Sequence, residues 1–202
     1  MPLLTPPGLV RIPSEAPYVF LMGPIQGTSD WQNPTAQWFL EKIPNAYVAS
    51  PRSEMWSQEM SKREKNNLYQ EQLDWEHYNI EEALLRMLRR NRGAGSVVVW
   101  CAREEVHIPN RAYAQTTRFE IANLLGFMNA LRNTLPFTGG WFLGGSKVSE
   151  REHLKGIHIG ADEAFPGRRY LQLTLANFQQ PLYSSLEETR NEALKYLRNQ
   201  AQ

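Results

Sequence analysis

Ser96-Val97-Val98-Val99-Trp100-Cys101-Ala102 is a continuous, β-branched apolar run, preceded by Arg92-Gly-Ala-Gly95 and followed by a polar stretch over residues 103–115. A strand with one wet face alternates apolar and polar residues, so a run without alternation predicts a strand covered on both faces, as in the middle of a parallel sheet. Working outward, Tyr18-Val-Phe-Leu-Met22 ends at Gly23-Pro24 and reads as the first strand, and Ala46-Tyr-Val-Ala-Ser50, stopped by Pro51, reads as the second. Gly156-Ile-His-Ile-Gly160 and Arg169-Tyr-Leu-Gln-Leu-Thr174 are expected to be the last two strands.

The segments between them carry helical spacing. Thr28, Ser29 and Asp30 are helix-cap types ahead of apolar residues recurring from Trp31 to Ile43. Residues 53–70 are polar enough to suggest a long functional loop or an irregular helix. From Tyr69 to Arg90 the pattern is helical, with Leu73, Tyr78, Ile80, Leu84, Met87 and Leu88 on one side. Thr116-Thr117 are expected to cap a helix through Phe119, Ile121, Leu124, Leu125, Phe127, Met128 and Leu131, which places Glu120 in its first turns. Ser184-Ser185-Leu186-Glu187-Glu188 opens a final helix with a capping pattern. Strands alternating with helices predict a parallel α/β sheet in one domain, residues 1–202, with the proline-rich residues 1–16 as an extended lead-in.

Composition narrows the partners. Twenty-two basic against 21 acidic residues leave a net charge of +1, too little for a broad field that holds nucleic acid or an anionic membrane, so a small molecule is the expected ligand. The first ten residues lack a basic leader and no stretch has the roughly 20 apolar residues of a membrane helix. The single cysteine, Cys101, suits a reducing compartment, and the expected localisation is cytoplasmic. His77, His107, His153 and His158 follow no metal-binding spacing, so no metal and no cofactor is expected.

Ligands of open parallel sheets bind beyond the carboxyl ends of the strands, which directs attention to the loops after residues 22, 50 and 102. Gly23-Pro24-Ile25-Gln26-Gly27, continuing to Trp31, can offer backbone NH groups to a phosphate or hydroxyl, or be no more than a turn. Gln72-Leu-Asp-Trp75-Glu76 places an amide, an indole and two carboxylates within little more than one helical turn; its other reading is an amphipathic surface helix. Tyr113-Ala-Gln-Thr-Thr117-Arg-Phe-Glu120-Ile-Ala-Asn-Leu-Leu-Gly126 sets one carboxylate among apolar residues, and alone it reads as a glutamate serving the helix dipole.

Taken in order, GPIQG after the first strand, SPR after the second, Q-x-x-W-E on the next helix, the strand ending VVVWCA and FEIA on the following helix resemble the nucleoside 2-deoxyribosyltransferase-like family. Gly156-Ile-His-Ile-Gly160, Gly167-Arg168-Arg169 and Ser185-Leu186-Glu187-Glu188 extend the similarity over nearly the whole chain. The resemblance implies a flavodoxin-like (Rossmann-like) three-layer sandwich with a mostly parallel five-stranded sheet, and a homo-oligomer. It also implies cleavage or exchange of the N-glycosidic bond of a nucleoside or nucleotide, with Glu120 as nucleophile and Glu76 as the acid that contacts or protonates the base. Gly23, Pro24, Ile25, Gln26, Gly27, Trp31, Gln72, Trp75, Asn110, Tyr113 and Thr117 are the candidate substrate-binding residues, and Trp31, Trp56 and Trp75 the candidates for stacking on a base.

Two positions depart from the family pattern. Ala114 stands where an aspartate commonly binds a sugar hydroxyl, and Ala122 where a glycine is common. Arg103, Arg111 and Arg118 border the same loop, which keeps open a hydrolase of nucleoside 5′-monophosphates. The loss at Ala114 keeps open a catalytically inactive nucleotide-sensing protein on the same fold. A helix N-terminus favours an ionised Glu120 and apolar burial opposes it; the sequence leaves that contest undecided.

Overall fold

The computed structural model describes residues 2–53, 61–88, 93–134 and 155–200. Trp56, His153 and the glycines near Gly139 lie outside them. Six parallel strands form one sheet: β1 (Leu3–Leu4), β2 (Tyr18–Met22), β3 (Tyr47–Ala49), β4 (Gly95–Cys101), β5 (Ile157–Ala161) and β6 (Leu182–Tyr183), in the order β1-β3-β2-β4-β5-β6. Apart from the two-residue edge strand β1, this is the doubly wound, flavodoxin-like order, with helices on both faces. The order reverses between β2 and β4, and their carboxyl ends open the crevice where this fold takes ligands.

The continuous apolar strands are explained by two cores. Along β2, Tyr18, Phe20 and Met22 face one side, and Val19 and Leu21 the other. The first side meets Trp75, Ala83 and Leu84 of α2 (Lys62–Leu88), Ile121, Leu124 and Met128 of α3 (Gln115–Thr134), and Leu171 and Leu175 of α4 (Arg168–Asn177). The second meets Ala36, Phe39 and Leu40 of α1 (Gln32–Lys42), and Ala193, Leu194 and Leu197 of α5 (Leu186–Gln200). Every residue of β2, β4 and β5 is buried, and each large apolar side chain so covered contributes about 1.5–3 kcal/mol.

Three expectations are corrected. Arg169-Tyr-Leu-Gln-Leu-Thr174 is helix, not strand: Leu171 and Leu175 are buried four residues apart, while Tyr170 and Leu173 are exposed. The exposed Leu173 created the false alternation. The fifth expected strand is replaced by β6, and β1 lies within the expected lead-in, so among the described residues the sheet has six strands. Thr116 and Thr117 do not cap α3 but lie inside its first turn, because that helix begins at Gln115, with Ala114 before it at φ 52 and Arg118 N donating to Ala114 O. The capping pattern at the last helix is present, Glu188 N donating to Ser185 Oγ at 3.0 Å and Ser184 N to Glu188 Oε2 at 3.0 Å. A second such box, Ser61 with Glu64, opens α2 as a regular helix inside the stretch read as loop or irregular helix. No helix among the described residues is long and apolar enough to cross a membrane.

Candidate functional site

A cavity of about 270 Å³ lies beyond the carboxyl ends of β2 and β4, room for one small ligand. Its floor begins at Gly23, where a Cβ would stand 2.3 Å from Trp100 O and 2.7 Å from the Trp31 ring; only glycine lets the chain turn here. Pro24, Ile25 and Gln26 continue the wall. They are held from behind, since Trp31 Nε1 and Gln32 Nε2 donate to Pro24 O at 3.0 and 3.1 Å. Arg52 donates to Ile25 O at 3.0 Å and pairs with Asp30 at 3.2 Å.

The loop after β4 is fastened to this one. Glu105 N and Val106 N donate to Gly27 O at 2.7 and 3.1 Å, and Ser29 N and Oγ donate to the Glu105 carboxylate at 3.0 and 3.1 Å. Arg111 donates to the Gln26 side-chain carbonyl across the cavity wall. Tyr113 lines the cavity with its ring and donates its hydroxyl back to Ala102 O and Arg103 O, at 2.8 and 2.9 Å. The two loops therefore form one braced surface at the switch point.

Two carboxylates close the inner end. Glu76 is only 5% exposed on α2, and Glu120, half-buried on α3, lines the same cavity close enough to couple to it electrostatically. Burial, then the charge of Glu76 and the bond to it, push Glu120 up to about 8. Burial also raises Glu76, opposed by hydrogen bonds from Gln72 and Glu120 and by the charge of His77. Two acids that share a site cannot both ionise cheaply, so Glu120 keeps its proton through neutral pH. The contest at Glu120 between helix dipole and burial is won by burial and the neighbouring acid.

The expected residues divide by place. Gly23, Pro24, Ile25, Gln26, Gln72, Glu76, Tyr113, Thr117 and Glu120 line the one cavity. Trp31, Trp75, Gly27 and Asn110 are not among its lining residues. Trp75 is 1% exposed, packs near Phe20 with ring centroids 6.3 Å apart, and donates its indole N–H to Gly8 O at 3.1 Å; it holds α2 to the core. Trp31 is buried beneath the first loop, Gly27 joins the two loops, and Asn110 occupies a left-handed turn at φ 61. Of the three bordering arginines only Arg111 reaches the wall.

Sequence reasoning missed Tyr69, Leu73, Glu104 and Ile108, which also line the cavity. Tyr69, Gln72, Leu73 and Glu76 follow i, i+3, i+4, i+7 spacing, so that spacing picks out Leu73 within Q-x-x-W-E and, extended back by one turn, Tyr69. Glu104 and Ile108 sit in an irregular loop with no periodic signal. Among the described residues no group of three or more His, Cys, Asp or Glu stands together to hold a metal.

No protein-family model matches the chain, and no curated protein matches it in sequence. The fold is established as a parallel, three-layer α/β sandwich of a type common among enzymes.

Proposed function

We propose that this protein cleaves or exchanges the N-glycosidic bond of a nucleoside or nucleotide through a covalent glycosyl-Glu120 intermediate, in the manner of the nucleoside 2-deoxyribosyltransferase-like family. The observation that carries the reading is the pair of neighbouring acids, Glu76 and Glu120, lining one small switch-point cavity. Breaking a glycosidic bond builds positive charge on the sugar and negative charge on the departing base, so it needs a carboxylate on one side and a proton on the other. A pair of acids holding one proton supplies both. Glu120, once ionised, attacks the anomeric carbon, and Glu76 serves the base. A second base entering the site gives exchange with retention, and water gives hydrolysis.

A second reading, hydrolysis of a nucleoside 5′-monophosphate, is favoured by Arg111 on the cavity wall. One experiment addresses both. Purified protein is incubated with deoxynucleosides or deoxynucleoside monophosphates, with and without a free acceptor base, and base exchange or release is followed chromatographically. Glu120→Ala should lower the rate by roughly 10³-fold or more. Turnover of monophosphates alone, without acceptor, selects the second reading. No turnover of any of them, or full activity in Glu120→Ala, rejects the glycosidic chemistry.

A further inference from the structure

Gln72 bonds to both the loop after β3 and the inner acid. Its Nε2 donates to Pro51 O at 3.4 Å and to Glu76 Oε1 at 2.8 Å. A peptide carbonyl can only accept, so the Pro51 contact fixes which end of the amide is the NH₂ and makes Gln72 a donor toward Glu76. An amide N–H binds a carboxylate more strongly than a neutral carboxyl, so this bond favours the ionised form of Glu76, and Glu120 is coupled to the same carboxyl from α3.

We infer that Gln72, oriented by the Pro51 carbonyl, is a positioning residue that keeps Glu76 as the acceptor and Glu120 as the bearer of the proton they share, and that this stored proton is the one delivered to the departing base. The inference rests on the glycosidic reading for its second half only. The groups around the pair are consistent with the placement. His77 attracts the charge on Glu76 from the same helix, Glu104 lines the cavity from the loop after β4 with its carboxylate bonded to His107, Arg111 is bonded to Gln26, and Tyr69 and Tyr113 complete the wall. Burial and the Glu76 charge hold the proton on Glu120 well above the ordinary carboxylate range.

The step balances without solvent. Before reaction the pair carries one proton and one negative charge, and the nucleoside brings a neutral sugar–base bond. When substrate displaces the resting contact, Glu120 passes its proton to Glu76. The Glu120 carboxylate then forms a bond to the anomeric carbon, the C–N electron pair leaves with the base, and Glu76 gives the base its proton. The products are a neutral glycosyl ester, a neutral base and an ionised Glu76, so one negative charge is present before and after. A doubly ionised pair lacks the proton and a doubly protonated pair lacks the nucleophile.

The test needs no substrate for its first arm. Carbon-13 NMR titration of the glutamate carboxyls in the unliganded protein should show one carboxyl still protonated above pH 7, absent in Glu120→Gln and therefore Glu120. In Gln72→Met, which removes the donor but preserves length and helix propensity, the proton should move to Glu76. In wild-type protein the Gln72 side-chain NH₂ resonances should titrate with the pair, a readout that survives if Gln72→Met fails to fold. In the second arm the kcat/KM profile should be a bell whose limbs move up by about 1 pH unit in Gln72→Met, the size of losing one charge-assisted hydrogen bond. Both carboxyls ionising in the ordinary range, an NH₂ group that does not respond, or an unmoved proton in Gln72→Met overturns the inference. Absence of turnover with the titration as expected would reject the glycosidic reading and leave the proton placement standing.

Discussion

Helix α2 buries charge in two places about 15 Å apart along its axis, and they are handled in opposite ways. At Arg86 the guanidinium is fully covered, paired with Glu82 at 2.7 Å, and donates to the carbonyls of Ser14 and Pro13 at 3.1 and 2.9 Å and of Ala16 at 2.5 Å. It also lies 5.8 Å from the centroid of the Tyr18 ring. At Glu76, two to three turns earlier, the buried carboxylate meets an amide and a second acid. The first arrangement satisfies each charge with an opposite charge or with dipoles, and it ties the N-terminal segment to the sheet. The second keeps like groups together at a cavity. Buried charge that is fully answered by opposite charge serves structure; buried charge set against a like group beside open space is available for chemistry.

That contrast can be broken at either end. Arg86→Met leaves several carbonyls of the N-terminal segment without their donor and Glu82 without its guanidinium, and should cost about 3–5 kcal/mol in urea unfolding. A loss below 1 kcal/mol would mean that the segment is held by its apolar contacts and by the Trp75–Gly8 bond instead. Glu120→Gln should act with the opposite sign, gaining about 1–2 kcal/mol at pH 8, as removal of a strained functional group often does. The sign follows from the raised acid: because folding holds the Glu120 proton more tightly than the unfolded chain does, its contribution to stability is fully present below the unfolded value near 4.5 and is lost as pH rises through about 8. The difference between wild type and Glu120→Gln should therefore widen from pH 4.5 to pH 8. A constant difference across that window would deny that the proton is held on Glu120.

Much of the fold is legible in the sequence because burial on both faces leaves a pattern. β2 and β4 read as uninterrupted apolar runs for that reason, and the last helix announces itself through Ser185 and Glu188. Where the pattern misleads, one side chain is responsible. Leu173 points to solvent on α4 and mimics strand alternation, while the second half of that helix, with Leu175, lies beyond the stretch that suggested a strand. The two-residue strands β1 and β6 are too short to leave a period. The α2 start was missed although Ser61-Lys-Arg-Glu64 has the spacing of a capping box.

The site is legible to a similar extent. Glu76 and Glu120 are 44 positions apart, and nothing local brings them together; the ordered set of short motifs, together with the rule that ligands gather at strand ends, pointed to both. Trp75 drew attention beside Glu76, yet one residue along a helix is about 100° around it, and that rotation sends the indole into the core while Glu76 and Gln72 face the cavity. Ala114 offers only a methyl group, and Tyr113 directs its hydroxyl to backbone carbonyls, so polar groups for a ligand come from elsewhere in the lining, among them Gln72, the two acids, Thr117, Gln26, Glu104 and Arg111.

The central claim, that Glu120 becomes a nucleophile at a sugar carbon, is most directly tested by intact-protein and peptide mass spectrometry on enzyme quenched during turnover of a deoxynucleoside. The account predicts a mass increase of one deoxyribosyl group located on the peptide bearing Glu120, discharged by added base and absent in Glu120→Gln. Sustained base release with no adduct, and with Glu120→Gln as active as wild type, would contradict it.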